Sequence, residues 1–200
     1  MSRLLDAGND ELISGALAAL KLEERDSYLD VGFGGGASLR KAALVVEAGR
    51  IYGLDHSRDM VERARKQFGA EIERGSMVLE HGDVHAMPFA TESMTKISAI
   101  NTLYFWENAG AAVEECARVL APGGRIAAGI SGPAKMHAHS LLTKHGLRIF
   151  DPGEVADLFR RKGLVNVQVI PQFGRVSQGD FVITGEKLGL APSQHPYSRH

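Results

Sequence analysis

Residues 28–39 read YLDVGFGGGASL, and the fold follows from how this stretch is understood. An apolar run ends at Asp30-Val31, breaks into Gly32, Gly34, Gly35 and Gly36, and gives way to a helix-period pattern from Ser38. Glycine weakens regular structure, so a cluster directly after a buried strand marks a place where something approaches the backbone closely. Strand, glycine loop and helix in that order open a βαβ unit. In an open α/β sheet, ligands bind outside the carboxyl ends of the strands.

The alternation continues outward from this unit. Asn9 to Lys21 reads as a helix with Leu12, Ala16, Ala19 and Leu20 on one stripe. Ile51–Leu54, Ser76–Glu80, Lys96–Ile100 and Arg125–Ile130 read as further strands. Between them Ser38–Ala48 is predicted helical, and Ser57 and Asn108 can each cap a helix. In Asp151-Pro152-Gly153-Glu154, Asp151 can be a cap, Pro152 the first helical residue and Glu154 the returning carboxylate. After Gly163 the period changes to two. Val165, Val167 and Val169 alternate with Asn166 and Gln168, which predicts a strand with one wet face. It joins Phe181–Thr184 without a helix, so the two are antiparallel. About seven strands, the first five alternating with helices, make an α/β, Rossmann-like sheet with a terminal hairpin. The expected organisation is an N-terminal helical segment or lid at 1–26, a ligand-binding domain at 27–187 with a short insert at 131–150, and a flexible tail at 188–200.

Composition narrows the function. Lys plus Arg number 23 and Asp plus Glu 24, a balance that gives no electrostatic case for nucleic acid or an anionic membrane surface. Cys116 is the single cysteine, so no internal disulfide can form and a reducing, cytoplasmic setting is expected. The first residues carry acids early and lack the apolar core of a secretory signal. No apolar run approaches the roughly 18 residues of a membrane helix. Oligomeric state has no signature here.

Two ligand classes suit the glycine loop. Gly32-x-Gly34-x-x-Ala37 satisfies the dinucleotide fingerprint. The same residues also read Asp30-x-Gly32-x-Gly34-x-Gly36, an acidic-glycine pattern. A carboxylate two residues before the first glycine opposes a pyrophosphate and suits a cation such as S-adenosylmethionine, with its sulfonium and ammonium. Asp55, followed by His56 at the tip of the second strand, can accept both hydroxyls of a ribose in either ligand. Asp83 after the third strand can accept from an adenine amino group while Val84 or Met87 packs on the ring. A nicotinamide-dependent oxidoreductase would want a hydride-site catalyst, and no Tyr-x-x-x-Lys occurs in the chain. A binding module without catalysis is the third reading.

Taken together, the chain resembles the class I S-adenosylmethionine-dependent methyltransferases of small-molecule type from about Tyr28 to Lys187. LDVGFGGG is similar to the family's first motif, GLDHSRDMVERAR to its ribose-binding strand end and following helix, HGDVHAMPF to its adenine-binding segment, and RVLAPGGR to the turn before its fifth strand. Gly35 stands where Ser or Thr is frequent in the family. The resemblance implies strand order 3-2-1-4-5-7-6 with the seventh strand antiparallel. It implies S-adenosylmethionine as methyl donor and S-adenosylhomocysteine as product. Its cofactor site would comprise Asp30, Gly32, Gly34, Gly36, Asp55, His56, Asp83, Val84 and Asn101. The acceptor, a small molecule whose O, N or C atom is left open, would face the end of strand four, ISAINTLYFWEN. Asn101 and Tyr104 have the spacing of the Asn-Pro-Pro-Tyr motif of amino-group methyltransferases, with Thr102 and Leu103 in place of the prolines. Tyr104, Phe105 and Trp106 are expected to wall the pocket, with Tyr104 and His139 as catalytic candidates. His137, His139 and His145 lack an accompanying acidic pair, and no metal is expected there.

Overall fold

A computed structural model describes residues 2–138, 148–174 and 177–189. Seven strands form one sheet: β1 (Ser27–Val31), β2 (Arg50–Asp55), β3 (Met77–His81), β4 (Met94–Ile100), β5 (Leu120–Ser131), β6 (Leu164–Pro171) and β7 (Asp180–Lys187). Their spatial order is 3-2-1-4-5-7-6. The first five strands are parallel, and β7 runs antiparallel between β5 and β6. The arrangement expected from the sequence is the one adopted.

Helices cover both faces, as a parallel sheet requires. They are α1 (Ser2–Leu20), α2 (Ala37–Ala42), α3 (Arg58–Gln67), α4 (Gly69–Glu73), α5 (Ala109–Val119), α6 (Pro133–Ala138) and α7 (Pro152–Arg161). On one face Tyr28, Leu39, Val61 and Phe68 pack with Leu12, Ala16 and Leu20 of α1. On the other, Leu29, Val31, Ile97 and Ile126 pack with Val113 and Cys116 of α5 and Val155 and Phe159 of α7. The inner stripe of α1 is thus core. Burial pushes the Cys116 thiol up to about 12, so it acts as a small apolar side chain. No helix among the described residues is long and apolar enough to cross a membrane.

Local chemistry explains the boundaries. The side chain of Ser57 caps α3 by accepting from Met60 N, and Asn108 caps α5 by accepting from Ala111 N. Asp151 accepts from Gly153 N at 2.8 Å, as expected, but Glu154 turns away and pairs with Arg148 at 2.6 Å. The α2 helix stops at Ala42, short of the predicted Ala48, and Leu44 is left 76% exposed. The reason lies beyond the helix. Ala48 N bonds Glu24 O, and Arg50 N bonds Asp26 O. Gly49 lies so close to the Asp26 carbonyl that no Cβ would fit. The chain leaves the helix early to enter β2. The short α4 was not expected; it buries no residue and so has no apolar stripe to announce it. In β6 the valine alternation breaks because Asn166 has φ 52° and the register against β7 shifts between Val165 and Gln168. This bulge leaves Val165 and Val169 exposed. At the opposite edge, β3 is only five residues long, and Arg65 Nη2 donates to the carbonyl of Leu79. Of the predicted tail at 188–200, residues 190–200 lie outside the described residues, as do residues 139–147 of the 131–150 insert.

Lys21 follows α1 with φ 53°, a left-handed conformation that costs a non-glycine residue about 1 kcal/mol. Its carbonyl, not its side chain, accepts from Lys96 Nζ at 3.2 Å. Lys21→Gly is expected to stabilise the fold by about 0.5–1 kcal/mol in urea denaturation. An unchanged or lower midpoint would show that no strain is relieved there.

Candidate functional site

The glycine loop sits at the carboxyl end of β1, and its four glycines do different things. Gly32 N donates to Leu54 O at 2.7 Å, and a Cβ at Gly32 would collide with the Thr102 hydroxyl. A Cβ at Gly36 would meet the Phe68 ring at 2.8 Å. These two positions are small because the protein itself closes on them. Gly34, with φ 49°, and Gly35 are different: a Cβ built on either meets nothing within 4 Å. Their backbone faces open space.

Three carboxylates surround the loop in different states. Asp55 ends β2; one of its oxygens accepts from Gly34 N at 2.8 Å and the other from Ser57 N at 2.8 Å. It therefore binds the loop to the start of α3. A carboxylate has about four acceptor positions, so capacity remains for a ligand hydroxyl. Asp30 is only 2% exposed and points inward. Ser38 Oγ and Ser98 Oγ donate to its two oxygens, and Tyr28 Oη lies 2.6 Å from Ser98 Oγ. Burial raises its pKa to about 6, against the opposing effect of the serine bonds. Asp30 thus acts on the loop from beneath, through Ser38 in the first turn of α2. Asp83 is exposed, and one oxygen takes both His85 N at 2.9 Å and His85 Nδ1 at 2.6 Å. These bonds, the backbone one first, hold its carboxyl below the usual range.

A cleft of about 200 Å³ runs along this end of the sheet. Gly32, His56, Asp83 and Val84 line one side, and Thr102, Phe105 and Trp106 the other. Phe105 is 65% exposed and Trp106 7%, so the walls offer apolar area at the rim and at depth. Tyr104 does not face the cleft with them. Ser131 N donates to its phenolic oxygen at 2.5 Å, and burial pushes the phenol up to about 12. Tyr104 therefore stays protonated near neutral pH and ties β4 to the end of β5, a poor placement for taking a proton from an acceptor. Asn101 has φ 54° and is turned toward α1, where its Nδ2 donates to Asn9 Oδ1 at 2.5 Å. His139 and His145 lie outside the described residues, as does the side chain of His137. No cluster able to hold a metal ion occurs among the described residues. Sequence reasoning missed Thr102, which closes on Gly32, and His85, which holds Asp83. Neither has a signal beyond its place after a strand.

An open glycine backbone, a carboxylate fixed beside it, an exposed second carboxylate next to buried Val84 and an aromatic wall suit a ligand that carries an adenosine.

Comparison with known proteins identifies the family. Residues 29–128 match the family described as the methyltransferase domain. The chain is 28% identical over 142 residues to the 27-O-demethylrifamycin SV methyltransferase of Amycolatopsis mediterranei, covering 68% of this chain and 52% of that protein. It is 30% identical over 117 residues to the O-methyltransferase cnsE of Penicillium expansum, covering 58% and 42%. It therefore spans about half or less of the length of these relatives. Among solved structures, a SAM-dependent methyltransferase from Aquifex aeolicus superposes with a TM-score of 0.72 at 19% identity, covering 94% of this chain and 98% of that one, a likeness of fold.

Two predictions test the site. Gly34→Ala is expected to lower stability by only about 1 kcal/mol, from its positive φ, and to abolish ligand-induced thermal stabilisation. Gly32→Ala should lose folding stability first, because its methyl meets Thr102. If Gly34→Ala binds S-adenosylhomocysteine as tightly as the parent, the open backbone at Gly34 is not the cradle. For Asp30, the folded pKa of about 6 lies above the ordinary 3.8. Between those values the folded protein keeps a proton that the unfolded chain has released, so stability falls as pH rises through the window and stays lower above it. Asp30→Asn should remove that fall, a relative gain on the order of 2–3 kcal/mol near pH 7. Denaturation of both proteins from pH 3.5 to 7.5 checks it. Parallel curves would mean that Asp30 carries no such burden.

Proposed function

We propose, since the chain belongs to the class I S-adenosylmethionine-dependent methyltransferases, that it transfers a methyl group from S-adenosylmethionine to a small-molecule acceptor by in-line displacement. The observation that carries this reading is the backbone at Gly34 and Gly35, where an added Cβ meets nothing within 4 Å, with Gly34 N held by the Asp55 carboxylate. S-adenosylmethionine, when bound, supplies a methyl group activated by its sulfonium.

The chain's own residues bind and orient. The loop backbone at Gly34 and Gly35 lets the donor approach, and Asp55 accepts from its ribose hydroxyls while it holds the loop. Asp83 keeps an oxygen clear of His85 for an adenine amino group, and Val84 offers an apolar surface to the ring. Asp30 braces Ser38 under the loop. Buried Trp106 and, at the rim, Phe105 offer an apolar wall on the acceptor side. Holding acceptor and methyl in line contributes on the order of 7–11 kcal/mol, so placement alone supplies much of the catalysis. The names of the relatives from Amycolatopsis and Penicillium favour an oxygen acceptor. A hydroxyl acceptor would need a proton acceptor, and Tyr104, held near 12, is unsuited to that task.

Calorimetry with S-adenosylhomocysteine and NADH tests the reading. S-adenosylhomocysteine is expected to bind with micromolar affinity, about −8 kcal/mol, and NADH not measurably. A screen of phenols, amines and carboxylates with labelled donor then identifies the acceptor. Binding of NADH alone would sink the assignment.

A further inference from the structure

The segment 82–93 between β3 and β4 carries no helix or strand, yet Asp83 and Val84 within it line the cleft. A stretch of that length without internal structure must bond its backbone elsewhere. It does so on α5. Glu115 Oε1 accepts from Met87 N at 2.8 Å. Arg118 Nη2 donates to the carbonyls of Met87 at 3.3 Å and Phe89 at 3.0 Å, and Nη1 reaches Thr91 Oγ1 at 3.2 Å. The Arg118 carbonyl accepts from Glu92 N at 3.0 Å. At the other end of the helix, His85 Nε2 lies 3.2 Å from Asn108 O.

Glu115 and Arg118 also brace one another. Arg118 Nε and Nη2 each bond a different oxygen of Glu115 at 2.7 Å, a two-pronged geometry that fixes both groups. The Arg118 bonds hold the Glu115 carboxyl below its usual range. An exposed ion pair by itself does little for stability. This one differs because its other bonds go to segment 82–93, to main-chain groups and to Thr91 Oγ1, and it holds Met87 by both its N–H and its carbonyl.

We propose that Glu115 and Arg118 are positioning residues for the methyl donor: by fixing segment 82–93 on α5 they present Asp83 and Val84 to the adenine end of the ligand, and so set affinity without touching it. The inference rests on the methyl-donor reading above. Its consequence is selective. Loosening the segment blurs the adenine surface; Gly82 N still donates to Asp55 O at 3.1 Å, and the Asp55 side chain and the glycine loop keep their own bonds through Gly34 N and Ser57 N.

Calorimetry with two probes separates these effects. One is S-adenosylhomocysteine; the other is S-ribosylhomocysteine, which lacks the adenine. In Arg118→Met, affinity for S-adenosylhomocysteine is expected to fall about tenfold, from the loss of charge-assisted bonds to the segment. Affinity for S-ribosylhomocysteine should stay at the parent value. Arg118→Lys, which keeps the charge without the planar fork, should show the same divergence at smaller amplitude, and it carries the test if Arg118→Met does not fold. Equal loss for both probes, or no loss for either in a folded variant, overturns the positioning role. A parent chain that binds neither probe overturns the methyl-donor reading itself.

Discussion

The ligand end of this protein depends on one buried carboxylate that accepts from two backbone amides. Asp55 reaches Gly34 N in the loop after β1 and Ser57 N at the start of α3. The parallel pairing of β1 with β2 sets Val31 beside Leu54, so the loop and the strand tip emerge side by side. Gly32, Gly34 and Gly36 all have positive φ, and a run of such residues has little intrinsic preference for one shape. The carboxylate selects that shape. It does so as a hydrogen-bond acceptor aimed at amides that strand and helix geometry have already fixed.

Other polar links carry the same organisation across the sheet. Beneath the loop, Tyr28, Ser98, Asp30 and Ser38 form a chain of bonds that joins β1, β4 and α2. Beyond the end of β4, Tyr104 bonds Ser131, Ser131 Oγ donates to Asp180 at 2.6 Å, and Asp180 pairs with Lys135 at 2.6 Å. That second chain ties the end of β4 to β5, β7 and α6. No buried side-chain polar atom among the described residues lacks a partner. Fully satisfied networks of this kind make a site rigid, whereas half-satisfied ones would loosen it.

The sheet was legible in the sequence because its information is local. Short apolar runs, helix-period stripes and capping residues such as Ser57 and Asn108 lie within a few positions of one another. The place of the glycine loop, between β1 and α2, was legible for the same reason. What each glycine does was not. Gly32 is small because of Thr102, and Gly36 because of Phe68, and such contacts have no sequence spacing to reveal them. Asp30 suggested a carboxylate facing a cation, yet its partner Ser98 lies 68 residues away and draws it inward. Tyr104 suggested chemistry until Ser131, 27 residues on, claimed its hydroxyl. The bulge at Asn166 escaped because the valine alternation around it is unbroken as text and broken only by one backbone angle.

That bulge bears on how the molecule meets its neighbours in a crowded solution. β6 is an outer strand eight residues long with exposed valines, the sort of surface on which a second chain could crystallise into a growing ribbon. The left-handed Asn166 bends the strand midway, and Pro171 at its end lacks the amide that a docking strand would seek. At the far side of the sheet, Arg65 occupies a carbonyl on the short β3. Both margins are thereby interrupted as templates for a further strand, although apolar side chains are exposed on β6.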